Sequence, residues 1–161
     1  MTQPSLSDIK EYVIDVHEDF RGTLYSTYKD ELEGMQFNHD KVSLRYKDVL
    51  VGIHGDFKTW KLITCLHGRI HVVLVDHRTE SIDYHKHITF QLSNENRRQL
   101  LVPPGIGNSY FVLSEFCVYS YKLSYSGEYV DHDQQFTLKW NDPELGIKWP
   151  HNSPILSARD E

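Results

Sequence analysis

Along most of this chain apolar and polar residues alternate in short runs, and turn-forming residues close the runs at regular intervals. The stretches Lys41–Arg45, Val49–His54, Lys61–Leu66, Arg69–Asp76, His87–Leu92, Gln99–Val102, Ser109–Leu113 and Phe116–Tyr125 are rich in Val, Ile, Leu, Tyr and Phe. Those side chains suit a pleated, half-buried surface, so each run predicts a strand. Glu11–Val16 alternates more loosely, and Asp19, Arg21 and Gly22 turn the chain into a further candidate, Thr23–Tyr28. Gly68, Asn94–Asn96, Pro103, Pro104 and Gly105, and Ser126 with Gly127 punctuate the rest. The polar piece Lys29–Gly34 predicts one helical turn. Many short strands in an even rhythm predict an all-β sandwich or barrel. No internal repeat, low-complexity tract or linker interrupts it, so residues 1–161 read as a single domain.

Alternation also sorts side chains onto faces, because successive strand residues point to opposite sides. Lys61 falls with Ile63 and Cys65, and Tyr121 falls with Cys117 and Tyr119. A polar tip among small or apolar neighbours is the pattern of a partly filled barrel mouth. Periodicity leaves open which face is interior; His67, His71, His85 and His87 are expected at the surface, His71 being the one of the four that alternation would most readily turn inward.

The 17 basic and 23 acidic residues give a formal charge of −6, which argues against a nucleic-acid or membrane-surface binder, since both need a positive field. A local basic pocket for one phosphorylated ligand is compatible with that balance. Cys65 and Cys117 lack metal-ligand spacing and sit in apolar runs, so reduced core thiols are expected. No leader-like core or apolar run of about 18 residues occurs, which predicts a soluble, cytoplasmic protein.

Three segments could carry chemistry. In Val49–Lys61, His54 and Lys61 lie on two strand candidates joined by a tight Gly55–Asp56 turn. An imidazole can take a proton from carbon near neutrality, and an ammonium can stabilise the enolate that forms beside a ketone. On spacing alone a surface hairpin with solvated His and Lys is the simpler account. In Gln99–Tyr110 a Pro-Pro-Gly corner precedes a strand, which serves plain turns as well as sites. The tail, Trp140–Pro150 and Ser153–Asp160, stands out only for its two Trp, expected to pack.

Taken together, these segments resemble the dTDP-4-dehydrorhamnose 3,5-epimerase family. The resemblance runs through Asp19-Phe-Arg-Gly22, Gly-Ile-His54, Trp-Lys61-Leu-Ile-Thr-Cys-Leu-His-Gly68 and Val-Asp76-His-Arg78. It continues through Leu-Ser93-Asn-Glu-Asn96, Pro-Pro-Gly105, Leu-Ser114-Glu and Tyr121-Lys122. It closes on Trp-Asn-Asp142-Pro-Glu-Leu-Gly-Ile-Lys-Trp-Pro150 and Ile-Leu-Ser-Ala-Arg-Asp160, so it spans about nine-tenths of the chain. The resemblance implies an all-β double-stranded β-helix (a cupin or jelly-roll barrel) with short helical pieces at the termini. It also implies a homodimer acting on a dTDP- or GDP-linked 4-keto-6-deoxy sugar, without metal or cofactor. By it, His54 is the base, Asp160 its carboxylate partner, Lys61 the enolate stabiliser and Tyr121 the proton donor on the opposite sugar face. Arg21 matches a residue that contacts the nucleotide-sugar, within the chain or across the dimer.

Two positions depart from the family pattern. Val51 stands where an Arg usually contacts the diphosphate, so Lys41, Arg45 or Arg21 is expected to hold the phosphates. Asn108 stands where a His is usual; its amide can bind a sugar hydroxyl or keto oxygen but cannot carry a proton near neutrality. With no His-x-His beside His54 either, a metal is not expected. Asn-His-Asp-Lys at 38–41 and Gly-Ile-His-Gly-Asp at 52–56 look closer to a branch acting on modified hexoses or GDP-heptoses. A 3,4-ketoisomerase and a non-catalytic sugar-nucleotide barrel are the alternatives. Asp160 lies one residue from the end of the sequence, so fraying of the dyad is an expectation to check.

Overall fold

A computed structural model describes residues 2–161. Its strands are Lys10–Val13 (β1), Val16–Asp19 (β2), Gly22–Tyr25 (β3), His39–Tyr46 (β4), Leu50–Gly55 (β5) and Trp60–His67 (β6). They continue as Arg69–Asp76 (β7), His87–Ser93 (β8), Arg98–Val102 (β9), Ile106–Val112 (β10), Phe116–Ser124 (β11) and Phe136–Leu138 (β12). Two antiparallel five-stranded sheets form, ordered β1-β9-β6-β11-β4 and β12-β5-β10-β7-β8, while β2 and β3 pair only with each other. This is the jelly-roll barrel expected.

The apolar halves of the strands explain why the two sheets face each other. Ile63 and Cys65 of β6, Ile70, Val72 and Leu74 of β7, and Val112 and Cys117 bury their side chains in one cluster between them. The opposite face of the second sheet is sealed by the tail: Ile53, Val73 and Val75 pack with Leu145, Leu138 and Trp149. Trp149 Nε1 donates to the Trp140 carbonyl at 2.7 Å, so both tail Trp are structural. His71 shares the face of Val73 and Val75 and lies edge-on to Trp149, 6.4 Å between centroids. It therefore points under the tail and not into the barrel, half-buried where a surface position was expected. Cys65 and Cys117 are buried, unpaired thiols, and burial pushes the Cys65 thiol up to about 12.

Among the described residues helical content is confined to two three-residue 3-10 turns, Leu6–Asp8 and His132–Gln134. The helical turn expected at Lys29–Gly34 is absent. Leu32 and Met35 exchange backbone hydrogen bonds at 2.9 Å instead, and Asp30, Glu33 and Gly34 take positive φ. Left-handed residues in succession cannot continue a right-handed helical turn. The first 3-10 turn is anchored by a buried ion pair. Arg78 reaches Asp76 at 2.8 Å, Asp8 at 2.8 Å and the Ser5 carbonyl at 2.9 Å.

Two surfaces remain apolar and uncovered. The β2–β3 hairpin carries Phe20, 98% exposed, and Leu24, 73% exposed. Strand β4 is a sheet edge, and Val42, Leu44 and Tyr46 face outward from it. Among the described residues no helix is long and apolar enough to cross a membrane.

Candidate active site

One open end of the barrel encloses a cavity of about 300 Å³. Strand alternation decides what lines it. On β4 the inward residues are Lys41, Ser43 and Arg45, and on β11 Tyr119 and Tyr121. Register then brings them together: Tyr121 pairs with Lys41 on one side and Ile63 on the other, and Leu123 pairs with Lys61. The facing sheet contributes His54 of β5 and, directly beside it in register, Asn108 of β10. The last turn of the chain supplies Asp160, which also lines the cavity.

His54 Nε2 lies 2.8 Å from Asp160 Oδ1. The ring N–H is not aimed along that line, so Oδ1 receives no directed hydrogen bond and the contact is a close approach of charge. The other carboxylate oxygen is fixed by the Gly52 N–H at 2.9 Å and the Ser157 hydroxyl at 3.2 Å. Asp160 is thus anchored and does not fray. Burial raises its pKa, but His54, the Gly52 N–H and the Ser157 hydroxyl together bring it below the usual Asp value, so it stays anionic at neutral pH. Gly52 is required for this approach: a Cβ there would sit 2.3 Å from Oδ1. The opposite ring nitrogen, Nδ1, is 3.0 Å from the Thr137 hydroxyl.

Lys61 is buried, 8% exposed, and makes no hydrogen bond or ion pair among the described residues. Burial pushes its pKa down; Asp56 opposes this, and Lys41 and Arg159 add to it. An unpaired ammonium in such a place is poised to receive a negative oxygen. Lys41 donates to the Tyr129 hydroxyl at 3.1 Å and lies over the Tyr121 ring, 5.6 Å from its centroid. Asn108 donates to the Tyr119 hydroxyl at 2.8 Å, which leaves its Oδ1 a buried acceptor without a partner. Burial holds Tyr119 well above the ordinary phenol value, so it remains a neutral hydrogen-bonding group.

Seven of the eight residues singled out in the sequence therefore converge: His54, Lys61, Tyr121, Asp160, Lys41, Arg45 and Asn108 all line the cavity. Arg21 does not. It sits on the β2–β3 hairpin, paired with Asp19, away from the cavity of its own chain. Val51 contributes uncharged wall. Among the groups missed by sequence reasoning are Arg159, which lines the cavity, and Thr137 against His54. Arg159 adjoins Asp160 in the quoted tail motif, a signal that could have found it; the Thr137 contact depends on β5–β12 register. Among the described residues no group of three or more His, Cys, Asp or Glu side chains could hold a metal ion.

A jelly-roll barrel with a His–carboxylate pair facing a buried Lys and a Tyr narrows the possibilities, and comparison with known proteins decides between them. The family model described as dTDP-4-dehydrorhamnose 3,5-epimerase matches residues 3–161. The chain belongs to that family. Its relatives include dTDP-4-dehydrorhamnose 3,5-epimerase of Salmonella typhimurium, 35% identical over 155 residues, covering 90% of this chain and 83% of the relative. The epimerase of Bacillus anthracis, solved with TDP and PPi bound, superposes with a TM-score of 0.88 at 32% identity, covering 96% of this chain and 91% of that one. An epimerase of Legionella pneumophila in complex with dTDP-4-keto-L-rhamnose gives 0.88 at 28% identity, covering 96% and 86%. Within the dTDP-4-dehydrorhamnose 3,5-epimerase family, then, this chain is a nucleotide-sugar epimerase, and Val51 and Asn108 are among the residues lining its cavity.

Proposed function

We propose that this single-domain chain inverts C3, C5 or both of a nucleotide-linked 4-keto-6-deoxy sugar, with His54 as base. The observation that carries the reading is the division of groups between two walls: His54 with Asp160 on one sheet, Lys61 and Tyr121 on the other, around one cavity. His54 takes the proton alpha to the ketone. The electrons move into the C–O bond, and the Lys61 ammonium meets the enolate oxygen. Tyr121 then returns a proton to the other face of the same carbon, and bulk water re-equilibrates both groups. Donors on opposite walls are what inversion needs, because a base returning its own proton to the same face would restore the substrate.

Binding follows from the remaining groups. The diphosphate sits at the rim against Arg159, Arg45 and Lys41, which replace the charge lost at Val51. The free Asn108 Oδ1 accepts a hydrogen bond from a sugar hydroxyl, while its amide nitrogen stays on Tyr119. The nucleotide is thymidine or guanosine diphosphate. Arg21 contacts it from a second copy of the chain: the hairpin that carries Arg21 and the uncovered apolar residues of β4 form the homodimer surface.

Incubation in heavy water with dTDP- and GDP-linked 4-keto-6-deoxy sugars tests the reading. Deuterium entering C3, C5 or both, with inverted product, is the expected result and assigns the carbon. Migration of the carbonyl from C4 to C3 would make the enzyme a ketoisomerase. Binding of either nucleotide sugar with no exchange at all would leave a non-catalytic barrel.

A further inference from the structure

We propose that Thr137 is a positioning residue for the base, holding the His54 ring in one orientation and one tautomer; the proposal rests on His54 being the base. Thr137 lies on β12 directly opposite His54 on β5. Directly paired residues of an antiparallel ladder share a face with their Cβ atoms about 5 Å apart, so a β-hydroxyl reaches the neighbouring ring. Its Oγ1 is 3.0 Å from His54 Nδ1 with acceptable geometry. This is the directed hydrogen bond the ring makes, since the Asp160 contact at Nε2 is close but out of line.

The two contacts together select a tautomer. A carboxylate charge 2.8 Å from Nε2 favours the positive end of an N–H there over an unprotonated nitrogen, so the proton resides on Nε2. Nδ1 is then the nitrogen free to accept a proton, and the Thr137 hydroxyl donates to it. Asp160 supplies charge and Thr137 supplies direction. Threonine suits the task because its branched Cβ restricts rotation about χ1, so the hydroxyl is delivered with little entropy to lose. The hydroxyl thus fixes the rotation of the ring in the resting enzyme. The ring is thereby aligned before the sugar arrives.

Thr137→Val keeps the shape and strand preference and removes only the hydroxyl; Thr137→Ser restores it. On a dTDP-linked 4-keto-6-deoxy sugar, or the GDP-linked one if that is turned over, Thr137→Val should lower kcat about fivefold to tenfold with KM unchanged within about twofold. Thr137→Ser should recover most of the loss. Independently of turnover, ¹⁵N NMR of histidine-labelled protein, with His54 assigned by its loss in His54→Asn, should show one Nε2–H tautomer in the wild type. The Thr137→Val protein should show averaging between tautomers. Unchanged kcat and an unchanged ¹⁵N pattern in Thr137→Val would overturn the proposal, as would a Ser variant as impaired as Val. A wild type without exchange activity would count against His54 as base, while the ¹⁵N comparison would still judge the positioning role.

Discussion

An imidazole can serve as base only while its ring is held in place, and Asp160 and Thr137 bracket the two nitrogens of His54. Replacing His54 with Asn keeps a polar side chain but removes proton transfer; heavy-water exchange should fall about 10²–10⁴-fold, with nucleotide-sugar affinity by titration calorimetry little changed. Lys61 carries a pH signature of its own. Burial lowers its pKa, so the ammonium is lost as pH rises at a point below the ordinary lysine value of about 10.4. The kcat/KM profile should therefore bend down on the alkaline side before that value. In Lys61→Met the whole curve should be lower and that bend should vanish. A wild-type profile flat to pH 10 would contradict the role. How far these residues could be read from the sequence differs case by case. His54 and Lys61 stood out as chemistry-bearing types near a turn, but spacing alone could not separate them from a solvated hairpin. The pairing with Asp160, far along the chain, came only through resemblance. Thr137 gave no sign, because a lone threonine in a three-residue strand has no distinguishing pattern.

At the scale of strands, the site depends on how β5 is framed by β10 and β12. Gly52 permits the last turn of the chain to lay its carboxylate against the sheet, and a methyl there would collide with the flexible end of Asp160. Gly52→Ala should push the carboxylate aside and leave the barrel standing. The expected result is a kcat loss approaching that of Asp160→Asn, with a stability change of about 1 kcal/mol or less by denaturant titration. A fully active Gly52→Ala would show that the charge contact is dispensable. The long strands β4 through β11 were visible in the sequence because each buries one face and alternates or is continuously apolar. Strand β12 and the split between β1 and β2 were not. Three or four residues carry too few alternations to be distinguished from loop, and their pairing partners lie far away in sequence. The Lys29–Gly34 reversal was misread because positive φ at Asp30 and Glu33 is a tertiary imposition on residues that do not demand it.

For the molecule as a whole, acid should find a specific weakness. Burial raises the Asp76 pKa, but hydrogen bonds from Arg78 and Ser81 outweigh it and leave the carboxyl below its ordinary value. A depressed folded-state pKa gives stability that is complete above the unfolded value, about 3.9, and is lost as pH falls through the folded one. Unfolding free energy should thus drop as pH falls below about 4. In Asp76→Asn it should already be lower at pH 7, by about 3 kcal/mol, and decline less on acidification. Assembly gives a second test: sedimentation should report a dimer, and Arg21→Ala should raise KM while leaving the dimer intact. A monomeric wild type would remove Arg21 from the site. The division of the chemistry between two sheets has one more effect. The distance between the base on one wall and the proton donor on the other is set by the thickness of the apolar filling beneath, by Ile63, Val72 and Leu74. Shaving a methyl from that filling, or warming the protein enough to soften it, should slow turnover while the circular dichroism spectrum still reads as native, so that the rate of the enzyme becomes a gauge of how tightly its interior is packed.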